Sequence, residues 1–212
     1  MSGTIKATAL TAALAMALGA GTATALEQGD ILVRGGLGYI QPTGESDPTG
    51  LGLKVEADAA ASFAFTLTYM ATDHMGIELV GAAPFEHNID VAENGIKVGE
   101  TKHLPPTLTA QYYFRPSAKV RPYVGIGVNY TTFFDEDLES SVLPNSNLDL
   151  DDSFGLALQA GVDIDLTGNW FLNGAVWYMD IDSDASIRGA TTTDFDVAID
   201  PVVWFAGIGY RF

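Results

Sequence analysis

The chain has 212 residues, with 27 acidic and 10 basic side chains, no cysteine and a mean hydropathy of +0.17. A formal charge of −17 repels the phosphate backbone, which proteins bind by releasing its counterions with Lys and Arg, so a nucleic-acid partner is excluded. Without cysteine there is no disulfide framework, thiolate zinc site or Cys nucleophile, and the apolar content excludes a disordered polyanion.

Residues 1–25 carry one cation, Lys6, then an Ala- and Gly-rich apolar stretch ending at Ala23-Thr24-Ala25, the small residues that an export cleavage site requires. The segment is expected to be a cleaved signal peptide, leaving 26–212 as one domain. No later stretch reaches the roughly 18 uncharged residues that a spanning helix needs, so the mature chain either stays soluble after export or crosses a membrane as strands.

From residue 26 onward the recurring period is two. Eight strand segments are predicted at about 29–41, 59–71, 75–87, 101–115, 120–134, 152–165, 169–182 and 197–212. In the fifth, Val124, Ile126, Val128 and Tyr130 share one face, opposite Gly125, Gly127 and Asn129. The sixth sets Phe154, Leu156 and Leu158 against Gly155, Gln159 and Asp163, and the last sets Trp204, Ala206, Ile208, Tyr210 and Phe212 against Gly207, Gly209 and Arg211. Short turns at 73–74, 115–119 and 166–169 alternate with long acidic connections at 42–58, 88–100, 135–151 and 183–196, the rim asymmetry of outer-membrane barrels.

A soluble eight-stranded barrel of the lipocalin kind alternates as well, so the inside must be chosen by charge. Here the face opposite the bulky one is Gly, Ala, Ser, Thr, Asn and Gln with few charges away from strand ends, which suits a narrow filled lumen with the bulky face in lipid. Tyr112, Phe114, Tyr123, Tyr130, Phe133, Trp170, Tyr178, Trp204 and Tyr210 fall near segment ends and are expected at the membrane interfaces. The closing strand ends on Phe212 with its bulky face unpaired, which resembles the signal read by outer-membrane assembly machinery. The fold class expected is therefore all-β, an eight-stranded antiparallel transmembrane β-barrel with short periplasmic turns and four longer extracellular loops.

KHLPPTLTAQYYF at 102–114, RPYVGIGVNYTTFFDE at 121–136 and VWYMDIDSDA at 176–185, with FTLTYMATDHMGIEL at 65–79 and the terminal GYRF, resemble the OmpW family of small outer-membrane proteins and its AlkL-type relatives. The resemblance spans nearly the whole mature chain, while the long connections match nothing in particular. It implies residence in the cell outer membrane and passive admission of small hydrophobic molecules through a narrow, unusually apolar lumen.

Alternation places Trp177, Met179, Ile181, Val80 and Ala82 inside an apolar upper lumen, the expected substrate path. A polar lower part holds Glu78, Gln111, Asn129, Gln159 and Asp163. Pro84, and Pro105 with Pro106, fall within neighbouring strand segments and lack the N–H that a ladder needs, so they mark an expected lateral opening; the alternative is that they only end the strands early. The acidic run 135–139 and Asp149, Asp151 and Asp152 lack the spacing of a calcium loop, and no metal or cofactor is expected; bridging to lipopolysaccharide through divalent ions is the alternative use. His87 and His103 can meet across their hairpin. Nothing marks a nucleophile elbow or a phosphate loop, so no enzyme is expected. The expected partners are outer-membrane lipids and lipopolysaccharide, the barrel-assembly machinery through Phe212, and small hydrophobic solutes. The competing reading is a structural or receptor barrel whose loops bind lipopolysaccharide, phage, toxin or host surfaces while the lumen stays shut.

Overall fold

The structure, a computed structural model, describes residues 25–44, 55–91, 96–138, 146–188 and 192–212. The expected signal segment up to residue 24, the acidic residue Glu139 and parts of the long connections lie outside the described residues. Fourteen strands are described: β1 (Ile31–Gln41), β2 (Val55–Ala57), β3 (Ala60–Met70), β4 (Met75–Ala82), β5 (Phe85–Val91), β6 (Lys97–Leu104), β7 (Thr107–Tyr113), β8 (Val120–Leu138), β9 (Asn147–Leu150), β10 (Ser153–Asp165), β11 (Trp170–Met179), β12 (Asp182–Arg188), β13 (Thr192–Ala198) and β14 (Val202–Arg211).

Eight of these close a cylinder in the order β1, β3, β4, β7, β8, β10, β11, β14, every neighbour antiparallel, with β14 pairing back onto β1. Closure removes every edge, which is what lets strands cross hydrocarbon with all backbone groups paired. The start of β1 and the C-terminal residue meet on the short-turn rim, where Ile31 and Phe212 exchange backbone hydrogen bonds at 3.3 and 2.9 Å. One of these turns, Leu166–Trp170, relies on Gly168 at a φ of +63°, where a side chain is disfavoured.

Alternation inside each wall strand sends bulky apolar side chains outward. Leu37, Phe63, Ile77, Ile126, Phe154 and Leu156 are 50–72% exposed, a band that a water-soluble barrel would have to turn inward. The aromatics form two girdles on this face. Tyr112 with Phe114, and Trp170, Tyr210 and Phe212, pack edge to face near the short turns, and Tyr39, Tyr130, Tyr178 and Trp204 lie toward the other rim. Tyr123 and Phe133 depart from the expected interface positions: they are 2% and 8% exposed and point inward, because they share strand parity with Arg121, Asn129 and Thr131.

The long connections also differ from expectation. Residues 88–100, 135–151 and 183–196, expected as loops, carry strand: β5 and β6 pair with each other, β6 continues onto the upper part of β8, and β9, β12 and β13 form a separate three-stranded sheet. Water bathes the outside of these extensions, so their outer residues are charged, as with Glu86, Lys102 and Asp135, and the apolar alternation fades.

Candidate functional site: a two-part lumen and an interrupted wall

The lower lumen is filled by a buried ionic network centred on Arg34, with a second buried cation, Arg121, below it. Arg34 on β1 is 1% exposed and spends its guanidinium on the opposite walls. It donates to Asp163 at 2.9 and 3.2 Å, Glu78 at 3.0 Å, Tyr113 Oη at 2.7 Å, and the hydroxyls of Thr68 and Thr66 at 2.7 and 3.2 Å. Gln159 donates to Glu78 at 2.8 Å and accepts from Gln111 at 3.0 Å; Asn173 donates to Asp163 at 2.7 Å and Tyr123 Oη at 2.9 Å. The rings of Phe171 and Tyr123 lie 5.3 and 5.7 Å from the guanidinium carbon. Beneath this lie an Arg121–Asp165 ion pair and an apolar floor of Leu26, Leu32, Met70 and Phe171. A charge this deep is tolerable only when its counter-ions and hydrogen bonds are complete, and such a network leaves no passage for an apolar molecule.

Sequence reading finds Glu78, Gln111, Gln159 and Asp163 here but misses Arg34, which binds Glu78 and Asp163 directly; Asn129, expected in the same polar part, lies higher, donating to Thr107 at 2.9 Å and to the Pro106 carbonyl at 3.4 Å. The available sign was a single cation at an inward-facing position, on a face otherwise made of Leu32, Gly36, Gly38 and Ile40.

Above the network the lining changes abruptly. Val80, Phe85, Trp177, Met179, Ile181, Val203 and Phe205 form one apolar cluster, with Phe133 above and Ala82 packed against it. All five residues expected on the substrate path are in it or against it. Val203 and Phe205, on the inward face of the last strand, were not foreseen. Between them lies a small apolar cavity of about 20 Å³, room for one water-sized sphere, lined by Trp177, Met179, Val203, Phe205, Val80, Ala82, Gly81 and Pro105.

Gly81 and Pro105 belong to the wall. The β4–β7 ladder stops at Val80 opposite Thr107 and resumes only at Phe85 opposite His103, on β5 and β6. Pro84 lies in one gap, and Pro105 and Pro106 in the other. The carbonyls around the gaps are bonded on their own side of the seam. The Ser62 hydroxyl donates to Ala83 at 2.9 Å and Pro84 at 3.4 Å, the Thr107 hydroxyl donates to Pro105 at 2.9 Å, and the Tyr130 N–H donates to Pro106 at 3.0 Å. By contrast the β11/β12 to β13/β14 hairpin, interrupted at the same level, is still stitched by Met179 N–H to Pro201 and Ile199 N–H to Ile181, at 3.2 and 2.9 Å. On the lipid side the Phe65 ring lies over Gly81, so close that a Cβ there would come within 2.6 Å of it.

On the extracellular extension His87 and His103 stack, as the hairpin allowed, with centroids 4.8 Å apart and planes 12° off parallel. The acidic residues are engaged in pairs: Asp135 meets Lys102 at 3.4 Å, Asp149 meets Arg188 at 3.0 Å, and Asp152 accepts from Tyr130 Oη.

The sequence profile of the OmpW family matches residues 27–212. The chain belongs to the OmpW family. OmpW-family relatives include outer membrane protein W of Vibrio cholerae serotype O1, 39% identical over 98% of this chain and all of that protein. The dibenzothiophene metabolism operon protein PahQ of Pseudomonas aeruginosa is 30% identical over 74% of each chain. Among solved OmpW-like structures, the outer membrane protein OprG from Pseudomonas aeruginosa superposes with a TM-score of 0.84 at 41% identity, covering 89% of this chain and 98% of that one. The chain is thus an outer-membrane barrel in contact with the lipids of that membrane.

Proposed function

We propose that this barrel passively admits small hydrophobic molecules from the extracellular side into the apolar upper lumen and releases them sideways into the bilayer, through the seam between β4/β5 and β6/β7. One observation carries the reading: the apolar cavity meets the wall at Gly81 and Pro105, where the ladder is interrupted, and sits directly above a floor sealed by Arg34. A solute that enters from above meets buried charge below and a wall without backbone bonds beside it. Lateral departure avoids desolvating that charge, and the carbonyls around the gaps already have partners that do not move when the seam parts. The name of the relative PahQ, a dibenzothiophene metabolism operon protein, refers to an apolar aromatic compound and agrees with such a cargo.

In the same reading Val80, Ala82, Trp177, Met179 and Ile181 line the path, and Pro84, Pro105 and Pro106 keep the seam unzipped. Phe212, 68% exposed on the lipid face, is the handle for the assembly machinery, and the charged extracellular extension meets lipopolysaccharide.

The receptor reading has its own support: at about 20 Å³ the cavity is smaller than any organic cargo, so the resting lumen is shut. Transport therefore requires Met179 and Phe85 to swing aside, and Met179, unbranched with three rotatable bonds, does so at low cost. The test is uptake of a fluorescent apolar probe into vesicles with a lipopolysaccharide outer leaflet. The double substitution Pro84→Val with Pro105→Val, which allows the ladder to close, is expected to slow protein-dependent uptake at least about tenfold while the barrel stays folded. Unchanged uptake removes the lateral route, and no protein-dependent uptake by the unaltered chain favours the receptor reading.

A further inference from the structure

Trp177 lines the apolar cavity and carries a polar atom with no use for hydrocarbon. The side chain is 2% exposed and its indole N–H has no hydrogen-bond partner in the protein. One layer below, the pairing is thorough: the Gln111 amide donates to Gln159, which also accepts from Thr109 at 3.3 Å and itself donates to Glu78. Lower still, Asn173 Oδ1, Arg121 Nε and Nη1 and Asp165 Oδ2 also lack partners, so Trp177 Nε1 is distinguished by belonging to a side chain that lines the cavity. A phenylalanine of similar bulk would line an oily passage without the desolvation penalty that a buried, unbonded N–H carries.

The feature recurs toward the outside. Phe85, which lines the cavity, stacks on His103 with centroids 5.7 Å apart; His103 is fully buried with both ring nitrogens unpartnered, and the facing His87 Nε2 is unpartnered as well. The path down to the cavity is thus apolar wall interrupted by single polar atoms.

We propose that the upper lumen is a recognition site for small apolar molecules bearing one hydrogen-bond acceptor, such as a ketone, ester or ether oxygen, and that Trp177 Nε1 is the donor that binds it. The inference rests on the conduit reading and names its cargo class. An acceptor replaces the missing bond while the hydrocarbon portion fills the space that Met179 vacates. A hydrocarbon of the same length leaves the donor unserved and gains less.

The full mature chain in lipid nanodiscs, 15N-labelled at its three tryptophan indoles, tests this by titration with 2-heptanone and, separately, with heptane, each corrected for partition into protein-free discs. Trp170 and Trp204 face lipid and report only partition. The expected result is a saturable downfield shift of the Trp177 indole proton by the ketone and a roughly three- to tenfold preference for ketone over heptane, the range that one neutral hydrogen bond supplies. In Trp177→Phe that ratio is expected to fall to about one. If the variant does not fold, the wild-type comparison and the Trp177 resonance decide by themselves. Equal binding of both compounds, or a Trp177 resonance that reports a bound water and ignores the ketone, overturns the acceptor preference and leaves the conduit standing. Failure of both compounds to reach Trp177 overturns the two together.

Discussion

Arg34 shows how one side chain can tie together four walls of a barrel lumen. Its charge faces Glu78 and Asp163, both fully buried, and removing the cation leaves two buried carboxylates without a counter-charge. Arg34→Ala is expected to destabilise the barrel by roughly 3–5 kcal/mol, read as a lower urea midpoint for unfolding from lipid vesicles. A change within error would mean that water already solvates these carboxylates and that the floor is not sealed. The residue was poorly legible because it stands in a Val-Arg-Gly-Gly context where one cation looks like a strand-end charge. Tyr123 was misplaced for a different reason. Nearness to a strand end suggested the interface, yet its odd parity beside Val124 and Ile126 already assigned it to the lumen, and where the two conflict parity wins, since neighbours on a strand must face opposite ways.

Among the strands, the period-two signal located all eight wall strands because each divides lipid from lumen. It was silent for β2, β9, β12 and β13, where one face meets water and the other meets mixed contacts, so acidic sequence looked like loop. The prolines were more informative, since a missing N–H has consequences in any surroundings. The β5–β6 hairpin above the seam has its own titration. Burial, and secondarily the neighbouring His87, pushes His103 down to about 3, and burial also lowers His87, whose Nδ1–H is held by the Asp58 carbonyl. A base whose folded pKa lies below its unfolded value of about 6.5 binds more protons when unfolded, so its contribution to stability is intact above that value and is lost as the pH falls toward 3. Acidification from pH 7 to 4 is therefore expected to loosen this hairpin selectively, raising amide exchange at residues 85–91 and 97–104 while β10 and β11 stay protected. His103→Phe should flatten the dependence. Uniform exchange across the barrel would trace the effect to the many surface carboxylates instead.

At the scale of the molecule, the same sequence builds a cylinder with three zones: an apolar belt between aromatic girdles, a charged extracellular collar, and a lumen that is greasy above and ionically sealed below. In the proposed function the greasy zone communicates with the belt through the side wall at Gly81 and Pro105, which is why direction of exit is the central claim. Arrival order measures it. In vesicles with a lipopolysaccharide outer leaflet and cyclodextrin trapped inside, a probe whose emission separates bilayer from complexed states is followed after mixing. Exit through the wall predicts that protein-dependent signal rises first in the bilayer, at a rate indifferent to the trap, with the internal complex lagging behind. Filling of the trap ahead of the bilayer would mean that solutes pass Arg34 and traverse the full length of the lumen, contradicting the account.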